Sequence, residues 1–351
     1  MKLIKWQKIF LKHVKSYYDT SLKYFGNHYL WMFLKEGDLI PEHVAYLCPL
    51  CIKNLIWVVK IENQNSKDKA VLYKTSDFTL DHFPPESVGG KQKVWVCKEC
   101  NNKAGDSYDH QIKKHIEHLG LQKKGLSTKV AVRSKIKDVG NFKGYLESTE
   151  NQNWLLHLKT DEAKVIKPLD EWIIGEGKGN DWQIDVTIST PINEAVQKAM
   201  LKSAYLYCFT YFGYQFVFSK AGELIRQVLK GEAEYPVNPT PLQFDKESQK
   251  AYNDIAIGMC YISQPENLKS IIVNVKLINK ENGYEVIHPV FIPNPTETGI
   301  EDLKQTIKFI EENINISISI THLNKILDET PNAYHQTWYD ILNAKPVTNI
   351  L

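Results

Sequence analysis

Long apolar runs are missing from this sequence. No stretch of 18 apolar residues occurs in the 351-residue chain, whereas a membrane-spanning helix needs about 20. The most apolar candidate helix, 195–212, is interrupted by Lys198 and Lys202. The N-terminus also lacks the apolar core and small-residue cleavage site of a secretory leader. These absences predict a cytoplasmic protein that does not enter a membrane.

Net charge and arginine are also scarce. The formal net charge is only +2, and two of the 43 basic residues, Arg133 and Arg226, are arginines. Charge is unevenly spread, because residues 91–143 hold 13 basic residues against 5 acidic ones. Such a segment either forms a solvated lysine-rich face or neutralises phosphates. Lysine is a point charge without the bidentate fork of arginine, so the composition favours contacts with a nucleic-acid backbone over recognition of guanine.

Cysteine occurs only six times, and four of the six cysteines form two C-x-x-C pairs, Cys48/Cys51 and Cys97/Cys100. In a cytosolic protein such pairs are more often metal sites than disulfides. Four thiolates match a closed tetrahedral zinc site, which has no open position for water and is therefore structural. Cys208 and Cys260 lie in apolar segments and are predicted to be buried and inert.

The length and the hydrophobic patterns predict an α+β chain of two or three domains. We expect an N-terminal helical segment over 1–45, a cysteine-bearing domain over 46–122 and a larger α+β domain over 126–351. In the last of these, the patterns predict three helices, at 194–212, 219–232 and 300–313. They also predict strands at 129–137, 152–158, 182–189, 254–262, 270–278, 284–292 and 316–321. Residues 120–125 are predicted to be a linker.

Between the two cysteine pairs lies a group of residues suited to hydrolysis. Asp81-His82 follows a strand-like stretch and precedes Pro84-Pro85 and Gly89-Gly90, which force an irregular loop. Asn101 directly follows the last cysteine of the pairs. Histidine can act as a base near neutral pH, and the oxygens of Asp and Asn suit Mg²⁺ or Mn²⁺. A metal-dependent cutter of phosphodiester bonds needs these groups.

Taken in order, these motifs resemble the zinc-bearing branch of the HNH (His-Me finger) endonucleases. The resemblance covers about 65 of the 351 residues. It implies a zinc-stapled, treble-clef-like ββα-metal module, in which a β-hairpin precedes a helix. It also implies that His82 is the general base and that Asp81 and Asn101 hold one catalytic Mg²⁺ or Mn²⁺. The structural zinc would be bound by Cys48, Cys51, Cys97 and Cys100.

The sequence departs from the family pattern at two points. The position after the last cysteine is often His in the family and is Asn101 here, although an amide oxygen can still bind a hard ion. The middle Asn of the HNH motif has no counterpart, and Gln92 is the nearest amide. Asn102 is a lesser alternative to Asn101 as a ligand of the catalytic ion. Asp109 or His110 could supply a third ligand.

The predicted function is hydrolysis of phosphodiester bonds, with DNA as the expected substrate. By family association, the protein would serve in a restriction or anti-phage system. Two alternatives stay open: a zinc module that binds nucleic acid without cutting it, and another enzyme class in residues 126–351, which carry no nucleophile elbow or Walker loop. We read 126–351 as a target- or effector-recognition domain. The sequence identifies no partner protein and no oligomeric state.

Overall fold

The computed structural model describes the chain in segments: 43–52, 55–62, 69–74, 78–123, 126–136, 140–149, 153–159, 184–188, 191–212, 214–245, 259–264, 270–312 and 319–322. The helix predicted near the N-terminus lies outside the described residues. In the described part of the chain, no helix is both long and apolar enough to cross a membrane.

The cysteine-bearing region begins with a small antiparallel sheet and a separate hairpin. The sheet has the strand order β1-β2-β3, with bounds His43–Leu47, Leu55–Glu62 and Lys69–Lys74. The hairpin pairs β4 (Phe78–Phe83) with β5 (Gln92–Cys97), and Asp81 lies opposite Val94. A cis peptide bond precedes Pro84 in the loop that joins these two strands.

A helix begins directly after β5 and is interrupted once. Its first part, α1 (Lys98–Ala104), passes into a π-helical turn, Gly105–Asp109, and continues as α2 (His110–Leu121). The buried residues recur every four positions, at Ala104, Tyr108, Ile112 and Ile116. This spacing places one apolar stripe against the core. The predicted linker, 120–125, is wrong at its first two residues, because Gly120 and Leu121 are buried in the last turn of α2.

A four-stranded antiparallel sheet follows, in the order β8-β7-β6-β9. Its strands are β6 (Thr128–Ile136), β7 (Gly140–Ser148), β8 (Trp154–Lys159) and β9 (Ile184–Ile188). Burial alternates strictly along β6, as expected of a strand with one covered face and one face in solvent. Leu121 of α2 packs with Val130 and Val132 on the covered face.

The central element is the helix α3 (Asn193–Phe212), which is buried on most of its circumference. Its aromatic residues Tyr205 and Phe209 are fully buried, so they are core residues and not an exposed stacking platform. Two helices follow, α4 (Tyr214–Phe218) and α5 (Lys220–Lys230). Ser219 caps α5, since its side chain accepts a hydrogen bond from the Gly222 amide at 3.1 Å.

A five-stranded antiparallel sheet completes the described fold, with the order β10-β13-β12-β11-β14. The strand bounds are Phe244–Asp245, Met259–Gln264, Ile271–Ile278, Glu285–Ile292 and Ser319–His322 for β10 to β14. The helix α6 (Gly299–Glu312) covers one face through Leu303 and Ile307. The other face of the sheet packs against α3.

These elements confirm the predicted α+β class. One continuous apolar cluster runs from Cys48 and Cys97, through α3, to Val273 and Leu277 of β12. The hairpin and the helix after it therefore share their core with the C-terminal sheet. Cys208 and Cys260 are both buried in apolar surroundings, as predicted.

Candidate functional site

The four paired cysteines converge on one point. Cys48 and Cys51 lie just after β1, whereas Cys97 ends β5 and Cys100 lies in the first turn of α1. Their sulfur atoms all lie within 4.8 Å of one another. The Sγ atoms of Cys51 and Cys97 are 3.9 Å apart, and the amide of Cys97 donates a hydrogen bond to Cys48 Sγ at 3.4 Å.

This arrangement fits a zinc ion. Zn–S bonds of about 2.3 Å in a tetrahedron place the sulfurs a little under 4 Å apart, close to the separation of Cys51 and Cys97. Hydrogen bonding with the neighbouring thiols, Cys48 first, raises the pKa of the Cys100 thiol, and a bound cation would reverse this rise. A four-sulfur site joins the hairpin to the start of α1 and fixes the direction in which that helix leaves.

Asp81 and His82 lie near the end of β4 and face opposite ways. Asp81 is buried, with 4% of its surface exposed, as is Phe83 two positions later. His82 is on the other face of the strand, where its side chain is 19% exposed and its Nε2 lies 3.7 Å from Glu86 Oε2. The alternation follows from the two-residue period of a strand. The histidine is therefore accessible from solvent, whereas the aspartate is directed into the core.

Inside the core, Asp81 meets a lysine from the central helix. Lys202 Nζ lies 2.8 Å from Asp81 Oδ2 and 3.1 Å from Asp81 Oδ1. The same ammonium group lies 2.5 Å from Asp109 Oδ2. The Lys202 side chain is fully buried. One buried cation thus joins two carboxylates, one from β4 and one from the π-helical turn.

The charge states follow from burial and from this pairing. Burial raises the pKa of Asp81 to about 6, although the Lys202 ammonium opposes the rise. Burial by itself would lower the pKa of Lys202, but the two carboxylates outweigh it and raise that pKa above its usual value. Lys202 is therefore a cation at neutral pH, and Asp81 is mostly ionised.

The π-helical turn decides which residue faces this cluster. An extra residue in one turn shifts the phase of the helix, and Asp109 becomes buried whereas His110 is exposed. The His110 ring points back along the helix, with its Nδ1 3.1 Å from the Gly105 carbonyl oxygen. Of the two predicted candidates for a third ligand, Asp109 is the one that lies beside Asp81.

The carboxylate pair has the donor chemistry that a hard divalent ion needs. Asp109 Oδ1 is buried and has no hydrogen-bond partner among the described residues. A buried carboxylate oxygen without a donor is unusual in proteins and is the kind of ligand that Mg²⁺ or Mn²⁺ binds. Asp81 and Asp109 together therefore offer oxygen ligands of the kind that such an ion takes, and in this structure the Lys202 ammonium contacts both of them and balances part of their charge.

Among the described residues, neither amide candidate is hydrogen-bonded to the Asp81–Lys202–Asp109 cluster. Asn101 is half-buried on α1, and Asn102 is exposed. No hydrogen bond of the described residues joins the Asn101 side chain to Asp81, although α1 packs against both strands of the hairpin. The sequence did contain a signal for the residue that joins Asp81 instead. Lys202 interrupts the most apolar part of this helix, 199–209, and a buried lysine of this kind is seldom found unpaired.

Comparison with known proteins agrees with this picture. Residues 71–117 match the family model for HNH endonucleases. The match runs from β3 into α2 and includes Asp81, His82, Cys97, Cys100 and Asn101. It confirms the resemblance that the motifs indicated. Searches among curated proteins and among solved structures found no match to this chain.

Proposed function

We propose that this chain, which carries an HNH endonuclease segment at 71–117, is a metal-dependent endonuclease that hydrolyses phosphodiester bonds in DNA. The observation that carries the proposal is the placement of His82. It is the accessible histidine of a hairpin whose far end and following helix are joined by four clustered cysteines. A base in this position can reach a water molecule, whereas its neighbour Asp81 faces inward.

In this mechanism His82 accepts the proton of the attacking water. Its ring has Glu86 at 3.7 Å, and a carboxylate at that position favours the protonated imidazole formed during the reaction. Asp81 and Asn101 are the proposed ligands of the catalytic ion, with Asp109 as the third. When bound there, Mg²⁺ or Mn²⁺ would stabilise the charge on the phosphate and on the leaving oxygen. The four cysteines would hold a zinc ion with a purely structural role.

The test is cleavage of supercoiled plasmid by the purified full-length protein with Mg²⁺ or Mn²⁺. We expect nicked and linear products with the wild type and a loss of at least about 100-fold with His82→Ala, as for removal of a general base. Because HNH modules are associated with restriction and anti-phage systems, phage DNA is the first natural substrate to try.

His118→Ala is a matched control for this experiment. His118 lies on α2, eight positions beyond His110, and is half-buried. Its loss removes one imidazole without touching the hairpin, so cleavage should continue. Both variants should show the thermal unfolding midpoint of the wild type within a few degrees. Wild-type cleavage rates in a folded His82→Ala protein would contradict the proposed role.

One observation favours a second candidate function, a module that binds nucleic acid without cutting it. The carboxylate of Asp81 is already neutralised by Lys202, as in a site that has no need of a divalent ion. Titration of labelled DNA in the presence and absence of EDTA separates the two functions. A non-catalytic module would bind DNA and leave it intact at every concentration of Mg²⁺ or Mn²⁺.

A further inference from the structure

The solvent-facing side of the four-stranded sheet carries an excess of positive charge. On β6 the exposed positions are Lys129, Ala131, Arg133 and Lys135. The face is extended by Lys143 on β7 and Lys159 on β8, both exposed. Among the described residues, the acidic side chains at positions of the same face are Glu147 and Asp185. Five described basic side chains therefore stand against two acidic ones, a net charge of +3.

Three of these cations form a row across neighbouring strands. In the strand register Arg133 lies opposite Lys143, and Lys143 lies opposite Lys159. Residues directly opposite one another point to the same side, with their Cβ atoms about 5 Å apart, and like charges in such pairs are destabilising. None of the three forms an ion pair with a described residue. The row is therefore electrostatically unfavourable unless an anion lies across it.

One of the two acidic residues on the face, Glu147, is already paired with basic neighbours. Glu147 Oε2 lies 2.9 Å from His157 Nε2 and 3.5 Å from Lys129 Nζ. The His157 ring stacks on Tyr145 with a centroid distance of 4.3 Å. Beside the row, the charges of Glu147 and Lys129 therefore offset each other, next to the stacked rings of His157 and Tyr145. Because Glu147 pairs with Lys129 and His157, it does not neutralise Arg133, Lys143 or Lys159.

The sheet is held firmly against the segment that carries the proposed active site. Its covered face packs on Leu121 of α2, the helix that continues from the π-helical turn of Asp109. Asn282 donates hydrogen bonds to the Ser127 carbonyl oxygen at 2.8 Å and to Thr128 Oγ1 at 2.7 Å. The sheet is therefore anchored both to α2 and to the turn between β12 and β13.

We infer that the cationic row Arg133–Lys143–Lys159 is a DNA-binding surface, which contacts the phosphates of substrate DNA outside the cleavage site. The inference rests on the proposed nuclease function, and it identifies the surface that contacts the part of the DNA outside the cleavage site. A DNA strand presents one phosphate charge about every 3.4 Å along the duplex axis. Adjacent strands of a sheet are about 4.8 Å apart, so the row spans about 10 Å and can meet several phosphates. Contacts of this kind position DNA without reading its sequence.

The experiment measures binding of a fluorescently labelled 30-base-pair duplex to the His82→Ala protein, with NaCl varied between 50 and 300 mM. A triple variant, Arg133→Gln/Lys143→Gln/Lys159→Gln, removes the row. We expect an affinity at least about tenfold lower at low salt. The slope of log affinity against log salt should be shallower by about 3, or about 1 for each lost phosphate contact.

The matched control removes three exposed lysines elsewhere, with Lys220→Gln/Lys304→Gln/Lys308→Gln on α5 and α6. Its affinity should stay within about twofold of the parent, and an equal loss in both triple variants would overturn the inference. Unchanged affinity in the row variant would overturn it too. A loss of binding to an RNA hairpin but not to duplex DNA would overturn the choice of DNA.

Two further measurements keep the result independent of folding and of catalysis. In the parent protein, bound duplex should protect Lys143 and Lys159 from chemical acetylation, read by mass spectrometry, whereas Lys308 should stay reactive. Plasmid cleavage with intact His82 is measured in parallel. If plasmid is cleaved but bound duplex does not protect these lysines, the DNA-binding surface is refuted and the nuclease function is not. If the lysines are protected but no cleavage occurs, the nuclease function is refuted and the DNA-binding surface is not.

Discussion

At the scale of single residues, the most consequential side chain is Lys202. It is fully buried and lies within 3.1 Å of two carboxylates that belong to separate elements. Removing charges from water is expensive, and such a group is stable only when its partners offset the loss of hydration. Asp81 and Asp109 are therefore held in place by ion pairs with Lys202, a residue far from both in the sequence.

Lys202→Met should destabilise the protein strongly, because it leaves Asp81 and Asp109 buried without a counter-charge. Loss of one partner of a buried pair costs about 3 to 5 kcal/mol. Lys198→Met is the matched control, one helical turn earlier, where the lysine pairs with the largely exposed Glu194; it should change stability by less than about 1 kcal/mol. Urea unfolding at pH 7 measures both. Equal effects of the two substitutions would refute the counter-charge role.

At the scale of secondary-structure elements, a histidine pair joins α2 to β13. His115 Nε2 lies 3.3 Å from His288 Nε2. One nitrogen must donate and the other accept, so at least the accepting ring must be neutral. Burial, with a smaller contribution from a neighbouring histidine, lowers the pKa of His115 to about 4 and that of His288 to about 3. At neutral pH the contact between the helix and the sheet is therefore made by two uncharged imidazoles.

This pair predicts a loss of stability in mild acid. Both folded-state pKa values lie below the unfolded value of about 6.5, so the unfolded chain takes up protons first as the pH falls. The contribution of the pair is complete above pH 6.5 and declines as the pH falls toward 4. When the pH falls from 6.5 to 5, the free energy of unfolding should decrease by about 1 to 2 kcal/mol less in His288→Gln than in the wild type.

His110→Gln is the control for the pH series, because His110 is an exposed histidine on the same helix. Its free energy of unfolding should follow the wild-type pH curve. All three proteins are unfolded with urea at pH 6.5 and at pH 5, in buffer that contains zinc. Parallel curves for the wild type and His288→Gln would show that the buried pair does not titrate on unfolding.

Elements with a strong hydrophobic period were predictable, and contacts between distant residues were not. The predicted helix at 194–212 and the strand at 270–278 match α3 and β12 to within a residue. The strand β7 was not predicted, because two glycines and two charged residues obscure its period. The π-helical turn, which directs Asp109 inward, also has no sequence signal apart from Gly105.

The candidate site divides in the same way. The short-range motifs located His82 and the cysteine cluster, because the residue spacing itself carries the signal. The pairing of Lys202 with Asp81 spans 121 residues, and that of His115 with His288 spans 173. Such pairings depend on how the helices and sheets pack, which a local pattern does not encode. The assignment of Asp81 and Asn101 as ligands of a catalytic ion stays a prediction.

At the scale of the whole molecule, the predicted domain 46–122 shares its interior with α3. Tyr205 donates a hydrogen bond to the Pro49 carbonyl oxygen at 2.6 Å, beside the cysteine cluster. The apolar cluster that includes Ile112 and Ile116 continues into the C-terminal region. Cutting the chain after residue 122 would expose this surface to water and leave both carboxylates without Lys202.

A fragment of residues 46–122 should therefore bind zinc without reaching a native fold. We expect about one zinc ion per fragment by elemental analysis, since all four cysteines are present, and a poorly dispersed amide NMR spectrum. The full-length chain should contain the same amount of zinc and unfold cooperatively. A well-dispersed spectrum and a sharp thermal transition in the isolated fragment would show that the segment is an independent domain.

The buried ammonium of Lys202 also bears on how such a segment can be exchanged between proteins. A recombination event that moved the hairpin and its helix into another host would carry the two carboxylates but leave their cation behind. A recipient could accept the graft only if its own interior offered a positive charge at the same point. The segment and the central helix are therefore expected to be inherited together, and a designer who transplants this nuclease segment must transplant its lysine as well.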